Sequence, residues 1–176
     1  DSPDKGMGAI QIVTGPVVPA PTNAFDFSAG TTVQVGNRPD GLAIKPDGSE
    51  IWVPNRNDDS ISIIDRTTDK VIAIIPLKVL EPSKGKGKSK EKEIGKKPAA
   101  VGFSPDGKYA YVVGRNSDNL IVLDAMARTI LGWVKVGNKP VALVVSPNGT
   151  KVYIANQNSD DMAVVEANGR TFTPQE

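Results

Sequence analysis

This sequence contains no histidine and no cysteine. The side chains that could do chemistry therefore carry carboxylate, hydroxyl, amide, ammonium or guanidinium groups. Without histidine and cysteine the chain cannot form a Ser-His or Cys-His catalytic pair, a thiolate or imidazole zinc site, or a haem held by histidine or cysteine. Disulfide bonds are excluded for the same reason. The remaining candidates are clusters of asparagine and aspartate, single carboxylates, and basic side chains.

Three short polar segments rich in asparagine and aspartate could bind a cation. They are NRNDD from Asn55, GRNSD from Gly114 and NQNSDD from Asn156. Such segments offer the oxygen ligands that Ca²⁺ prefers. Asparagine and aspartate also cap turns by bonding their own backbone, and recurrence in every repeat suits that structural role. The structural interpretation is favoured and no metal or cofactor site is predicted, although calcium binding stays open.

Single carboxylates that could act as acids or bases recur at one position, after an apolar run. They are Asp65, Asp124 and Glu166, and they share the offset at which the chain is expected to turn. A residue that recurs once in every repeat favours a structural role over catalysis. No catalytic residue is therefore predicted.

The elements that position these residues are repeats. The central copy, Gly95 to Val136, reads GKKPAAVGFSPDGKYAYVVGRNSDNLIVLDAMARTILGWVKV, and the next copy begins 42 residues later at Gly137. An earlier copy begins at Gly36. A period of about 40 to 45 residues is typical of a four-stranded β-propeller blade. The sequence therefore predicts an all-β propeller of antiparallel blades.

Each copy predicts four strands, a to d. In the central copy, an apolar run ends at Asp106-Gly107, which favours a tight hairpin between strands a and b. The polar segment separates strands b and c, and a short turn leads to strand d. The predicted divisions of a single propeller domain are a half blade, a blade, a lysine-rich insertion and two further blades, at residues 1–35, 36–77, 78–94, 95–136 and 137–176.

The repeats resemble the YVTN-type β-propeller repeat of bacterial and archaeal surface proteins. The resemblance rests on VGNRPDGLAIKPDGSEIWVPNRNDDSISIID, IGKKPAAVGFSPDGKYAYVVGRNSDNLIVLD and VGNKPVALVVSPNGTKVYIANQNSDDMAVVE, and it covers about Thr31 to Glu176. The tetrapeptide of the family stands here as WVPN, YVVG and YIAN. The resemblance implies a periplasmic, cell-surface or secreted protein.

The predicted ring is incomplete. Propellers have about four to eight blades, whereas this chain offers about three and a half. Each blade buries its faces against its neighbours, so an open arc leaves apolar faces uncovered. We expect either a fragment of a longer protein or an arc completed by another chain, the same or a different one. No run of apolar residues is long enough to span a membrane.

Basic residues are predicted to collect on one face of the propeller, where the connections between blades and the loops between strands b and c emerge. The insertion of residues 78–94 is expected to be a mobile basic loop without packed structure, since its lysines alternate with glycine and serine. The predicted partner-binding residues are Arg38, Arg56, Lys84, Lys86, Lys88, Lys90, Lys92, Lys96, Lys97, Arg115 and Lys139.

These observations favour a non-enzymatic binding or scaffold module outside the cytoplasm. Its expected partner is a protein or an anionic surface polymer, and it needs no cofactor. Nucleic acid is disfavoured, because the basic segment lacks aromatic residues on which bases could stack. The alternative is a part or accessory subunit of a periplasmic enzyme, an oxidoreductase complex or a propeller resembling lactonases or lyases, with active residues outside this chain.

Overall fold

The computed structural model describes residues 30–81 and 90–167, and within these ranges every regular element is an antiparallel strand. No helix that could cross a membrane occurs in this part of the chain. The strands form successive four-stranded or three-stranded sheets that pack face to face, as the repeats predict. Residues 1–29 of the predicted half blade, and the last predicted strand, Arg170 to Thr173, lie outside the described residues. Residues 30–35, the end of that half blade, are described and form no strand.

The first blade is a four-stranded sheet in the order in which its strands follow along the chain. Its strands are β1 (Ala43–Ile44), β2 (Glu50–Asn55), β3 (Ser60–Asp65) and β4 (Lys70–Pro76). Pro54 lies inside β2, opposite Ile61. Proline has no N–H to donate, but its carbonyl oxygen accepts the backbone N–H of Asp40 at 3.0 Å. The strand therefore continues through the proline.

The lysine-rich insertion begins and ends as a two-stranded ribbon of β5 (Lys78–Glu81) and β6 (Lys90–Glu93). The prediction of a mobile loop without packed structure is therefore wrong at both ends of Lys78 to Ile94. Leu77 and Ile94 flank the ribbon, and both are buried. The backbone N–H of Ile94 donates to the carbonyl oxygen of Leu77 at 3.0 Å. This buried apolar pair fixes the start of the ribbon despite its charge.

The second blade is complete and the third has three strands among the described residues. The second contains β7 (Pro98–Phe103), β8 (Tyr109–Gly114), β9 (Asn119–Asp124) and β10 (Thr129–Lys135). The third contains β11 (Pro140–Val145), β12 (Lys151–Asn156) and β13 (Asp161–Glu166). In each blade the strands pair in sequence order, so the first strand lies at one edge of its sheet.

The core lies between the blades. Trp52 of the first blade is fully buried and meets Phe103 of the second edge to face, with ring centroids 5.3 Å apart. Tyr111 of the second blade belongs to another buried cluster, which it shares with Val152 of the third blade. Trp133 is partly buried and packs against the first cluster. Both tryptophans therefore contribute to the boundary between the first two blades.

The predicted hairpins between strands a and b are present. Gly48, Gly107 and Gly149 have φ angles of 73°, 69° and 72°, a left-handed conformation that glycine adopts without strain. The preceding side chain closes each turn; Asp47 Oδ1, for example, accepts the backbone N–H of Ser49 at 2.9 Å. The turn geometry therefore explains the Asn148-Gly149 pair of the third blade.

Candidate functional site: the loop face

The predicted binding face is built from two kinds of segment that lie side by side. We define the loop face as the connections between blades and the loops between strands b and c, which are residues 36–39, 95–98 and 137–140 and residues 56–59, 115–118 and 157–160. The backbone N–H of Arg56 donates to the carbonyl oxygen of Arg38 at 3.0 Å. Arg115 bonds Lys97 and Gln157 bonds Lys139 in the same way. The repeat therefore brings every such pair of segments together.

An aspartate at the end of the b–c loop joins the first blade to the second, and another joins the second blade to the third. Asp59 and Asp118 lie in the left-handed region, at φ 47° and 53°, and their carbonyl oxygens accept the N–H groups of Leu77 and Val136 at 2.9 and 3.0 Å. Their carboxylates also bond the connection into the following blade. Asp59 Oδ1 accepts the backbone N–H of Lys97 at 2.7 Å. Asp118 Oδ1 accepts that of Lys139 at 2.9 Å.

Other polar groups of the loop face are also used inside the fold. Asp58 accepts both the backbone N–H and the side-chain amide of Asn37, at 2.7 and 2.9 Å. These two hydrogen bonds lower the pKa of the Asp58 carboxyl. The buried amide of Asn55 accepts the N–H of Gly36 at 3.0 Å and donates to Ser60 at 3.0 Å. The oxygen-rich segments are thus engaged in structural hydrogen bonds, but these bonds join them to other segments of the chain and do not cap their own backbone.

Two of the three carboxylates that recur after strand c, Asp65 and Asp124, close the next turn, whereas Glu166 pairs with Lys151 at 3.2 Å. Asp65 Oδ1 accepts the backbone N–H groups of Thr67 and Thr68, both at 2.9 Å. Asp124 Oδ1 accepts those of Met126 and Ala127 at 2.9 and 2.7 Å. In residues 30–81 and 90–167, no three carboxylates converge on a point where a metal ion could be held.

The structure brings several of the predicted basic residues onto the loop face. Two of them have carboxylate partners: Arg56 pairs with Asp40 at 3.4 Å, and Lys96 pairs with Glu93 at 3.0 Å. The Glu93 carboxylate raises the pKa of Lys96. The predicted residues of the loop face that form no ion pair with a carboxylate of the described chain are Arg38, Lys97, Arg115 and Lys139.

Of the predicted basic residues in the insertion, Lys90 and Lys92 lie among the described residues. Lys92 lies over the ring of Trp133, with Nζ 5.6 Å from the ring centroid, a cation–π contact. Lys90 begins β6. Lys84, Lys86 and Lys88 lie outside the described residues.

A cleft of about 360 Å³ opens on the loop face between the second and third blades. Arg115 and Lys139 line it together with one carboxylate, Asp118, whose Oδ1 already accepts the N–H of Lys139. The guanidinium of Arg115 donates to the side-chain oxygen of Gln157. The remaining lining residues are Asn116, Asn138 and Asn158. The cleft is therefore lined by two basic side chains, three amides and one carboxylate that already accepts a hydrogen bond.

A second cleft, of about 380 Å³, lies where the ribbon meets the second blade. It is lined by Lys92, Lys96 and Lys135 with a single carboxylate, Glu93. Lys135, which the sequence reasoning missed, donates from Nζ to the carbonyl oxygen of Ser117 at 2.7 Å. The signal that could have found Lys135 is its position at the end of a predicted outer strand, next to the b–c loop.

The opposite face has a different charge balance. A cleft of about 470 Å³ lies on this face between the first two blades, and it is lined by Lys45 and Lys108 with three carboxylates, Asp47, Asp106 and Asp124. Basic side chains therefore outnumber carboxylates in the two loop-face clefts, whereas carboxylates outnumber basic side chains in the cleft of the opposite face.

A comparison with known protein families shows to which family the chain belongs. Residues 80–176, more than half of the sequence, match the family described as "Lactonase, 7-bladed beta-propeller". The chain belongs to this family. No curated protein sequence matches it.

Solved structures similar to this lactonase-family chain share its fold. Hydrazine synthase of Kuenenia stuttgartiensis has 24% identity and a TM-score of 0.62 over 83% of this chain. Candidate 6-phosphogluconolactonases of Bacteroides uniformis and Bacteroides fragilis have 19% and 18% identity and TM-scores of 0.61 and 0.60 over 78% and 77% of the chain. The matches cover 37%, 38% and 36% of those chains. The chain therefore spans well under half of the solved propellers that it resembles.

Proposed function

We propose that this chain is a non-catalytic propeller segment that binds an acidic polypeptide through the loop face. The observation that carries the proposal is the charge of the two loop-face clefts. In each cleft the cations outnumber the carboxylates, and the clefts adjoin each other at the b–c loop of the second blade. An acidic partner would find compensating charge there and not on the opposite face.

The hydrogen bonds of the loop face support this proposal. Asp58, Asp59 and Asp118 accept backbone N–H groups, so their carboxylates are held within the fold. Arg115 and Lys139 have no carboxylate partner in the described chain, and Lys139 is exposed. An arginine guanidinium can bond a carboxylate through two parallel N–H groups, which a lysine cannot. Arg115 is therefore the residue expected to orient a bound carboxylate.

The proposal is tested by binding of fluorescently labelled poly-L-glutamate to the intact chain at several salt concentrations. The test variant replaces Arg38, Arg115 and Lys139 with glutamine, which keeps a polar side chain and removes three charges. Its affinity at low salt is expected to fall roughly tenfold, because surface charge raises the encounter rate of an oppositely charged partner. The dependence of affinity on salt should also become shallower.

The matched control replaces Lys70, Lys108 and Lys151 with glutamine, an equal change of charge on the opposite face. It should bind poly-L-glutamate almost as the unchanged chain does, and both variants should keep their melting temperatures. Equal losses in the two variants would show attraction to net charge alone and would contradict a site on the loop face.

A second candidate function is favoured by the family match. If the chain carries part of a lactone-hydrolysing site, hydrolysis of 6-phosphogluconolactone, the substrate that the names of two similar structures indicate, should be faster than in buffer. Since this chain contains no histidine, another side chain, such as an aspartate or a glutamate, would activate the water. The binding proposal expects no acceleration. Acceleration that is lost in the variant of Arg38, Arg115 and Lys139 would favour the enzyme.

The location outside the cytoplasm stays a prediction of the repeat resemblance. It is compatible with an acidic polypeptide or surface polymer as partner, and it does not enter the binding test.

A further inference from the structure

Two boundaries between blades carry corresponding polar residues on the loop face. The second boundary, between the second and third blades, has the cleft lined by Arg115, Asn116, Asp118, Asn138, Lys139 and Asn158. By the repeat, the corresponding residues of the first boundary, between the first and second blades, are Arg56, Asn57, Asp59, Lys96, Lys97 and Asn116. The first boundary therefore has three basic residues where the second has two. Their number alone would place an acidic partner at the first boundary.

The two arginines of these sets have different partners. Arg115 donates to the side-chain oxygen of Gln157, which belongs to the third blade. At the first boundary the residue that corresponds to Gln157 is Arg115 itself, and a guanidinium accepts no hydrogen bond. Arg56 instead pairs with Asp40, a carboxylate of its own blade, at 3.4 Å. The charge of Arg56 is therefore compensated within the fold, whereas Arg115 has a neutral partner.

The position of Asp40 follows from the backbone. Its N–H donates to the carbonyl oxygen of Pro54 at 3.0 Å, which brings it beside the loop that begins with Arg56. In the other two blades this position is occupied by Ala99 and Val141, which carry no charge. Among the three copies of the repeat, an aspartate therefore stands at this position in the first blade alone.

The additional basic residue of the first boundary is paired as well. The Nζ atom of Lys96 lies 3.0 Å from the Glu93 carboxylate. Two of the three basic residues of the first boundary thus have carboxylate partners. At the second boundary, neither Arg115 nor Lys139 forms an ion pair with a carboxylate of residues 30–81 and 90–167.

We propose that Asp40 keeps the first boundary closed to the acidic partner and that the neutral Gln157 leaves the second boundary open to it. A carboxylate that approaches Arg56 is repelled by Asp40, since the two lie well within the Debye length of roughly 8 Å at physiological salt. Asp59 and Asp118 occupy corresponding positions, so they do not distinguish the boundaries. The inference rests on the proposed function, because it names which of two related sites the acidic polypeptide occupies.

The test exchanges the two partners without a change of net charge. Asp40→Asn removes the carboxylate beside Arg56, and Gln157→Glu provides one for Arg115. Both substitutions keep the size of the side chain, and both positions are at least partly exposed. Folding should therefore be preserved, and thermal melting followed by circular dichroism checks it.

Binding of a hexaglutamate peptide to the ¹⁵N-labelled chain is followed at low salt. The amides of Asn57 and Lys97 report on the first boundary, and those of Lys139 and Asn158 report on the second. In the unchanged chain the second boundary is expected to bind about threefold more tightly, which is the effect of one exposed ion pair. The double variant should reverse this preference.

The two single variants show which partner acts at which boundary. Asp40→Asn alone should strengthen binding at the first boundary and leave the second unchanged. Gln157→Glu alone should weaken binding at the second boundary and leave the first unchanged. Equal changes at both boundaries would show an effect of net charge alone and would overturn the inference.

The remaining outcomes separate this inference from the proposed function. An unchanged chain without a preference, or a double variant that still prefers the second boundary, would overturn the role given to Asp40 and leave binding at the loop face intact. Amide shifts at neither boundary, in the unchanged chain and in every variant, would overturn the proposed function and this inference together.

Discussion

Asp59 accepts the backbone N–H of Lys97 through its side-chain oxygen at 2.7 Å, across the boundary between two blades. Its own carbonyl oxygen accepts the N–H of Leu77, where the last strand of its blade ends. One residue thus fixes both the end of its blade and the start of the next. Asp118 makes the same two contacts, with Lys139 and Val136. The two blade boundaries therefore share the same pattern of hydrogen bonds.

We predict that Asp59→Ala lowers the free energy of unfolding by about 1 to 3 kcal/mol, since it leaves a part-buried N–H without its partner. Chemical unfolding followed by tryptophan fluorescence measures this change. Asp160→Ala is the matched control, because its carboxylate accepts no hydrogen bond from the described residues. The control should be nearly as stable as the unchanged chain. Equal destabilisation would contradict the role assigned to Asp59.

Removal of the Trp52 ring should have a larger effect. We predict that Trp52→Ala costs about 3 to 5 kcal/mol, because the ring is fully buried at the boundary of the first two blades. Its contact with Phe103 can be isolated by a double-mutant cycle with Phe103→Leu, which should give a coupling of about 0.5 to 1.5 kcal/mol. Independent effects of the two changes would contradict a direct packing contact.

Acid should weaken the fold through its hydrogen-bonded aspartates. The Ser49 hydroxyl and N–H lower the pKa of Asp47 from 3.8 to about 2, and the N–H groups of Asn37 lower the pKa of Asp58. A carboxyl with a lower pKa in the folded chain favours folding above its unfolded pKa, and this contribution is lost as pH falls through the folded value. The melting temperature should therefore fall between about pH 4 and pH 2.

The variant Asp47→Asn tests this assignment, because it removes one of the titrating carboxylates. Its melting temperature should decline less steeply over the same pH range. A decline identical to that of the unchanged chain would show that other groups cause the acid sensitivity.

The fold could be predicted from the sequence because each repeat contains its own local signals. These signals are the Asp-Gly and Asn-Gly turns and the alternation of apolar residues. They depend only on residues that are close together in the sequence. The inner strand of the first blade is the exception: β1 is only Ala43–Ile44, two residues, whereas the inner strands β7 and β11 have six residues each. Ile44, and Leu42 just before the strand, remain exposed.

The ribbon and the charge of the clefts could not be predicted in the same way. The strands of the ribbon depend on Leu77 and Ile94, which are buried by residues distant in sequence. The sequence did place Arg115 and Lys139 on one face. It could not show that Asp118 bonds a backbone N–H, or that Lys135 joins the second cleft, because both contacts join separate parts of the chain.

The lysines of the insertion should matter little for stability. Replacement of Lys84, Lys86, Lys88, Lys90 and Lys92 with glutamine should cost no more than about 1 kcal/mol, chiefly from the contact of Lys92 with Trp133. Leu77→Ala, in contrast, should cost about 2 to 5 kcal/mol because that side chain is buried. Differential scanning calorimetry compares the two variants. If the lysine variant were the less stable one, charge rather than apolar burial would hold the ribbon.

The binding face is tested most directly by amide chemical shifts of the ¹⁵N-labelled chain during titration with poly-L-glutamate. We predict that the amides of Arg115, Asn116, Asn138 and Lys139 shift most and that the shifts diminish as salt is added. The amides around the opposite cleft, at Lys45, Asp47 and Lys108, should remain nearly unchanged. Shifts concentrated at those opposite residues, or none at low salt, would contradict an acidic partner bound at the loop face.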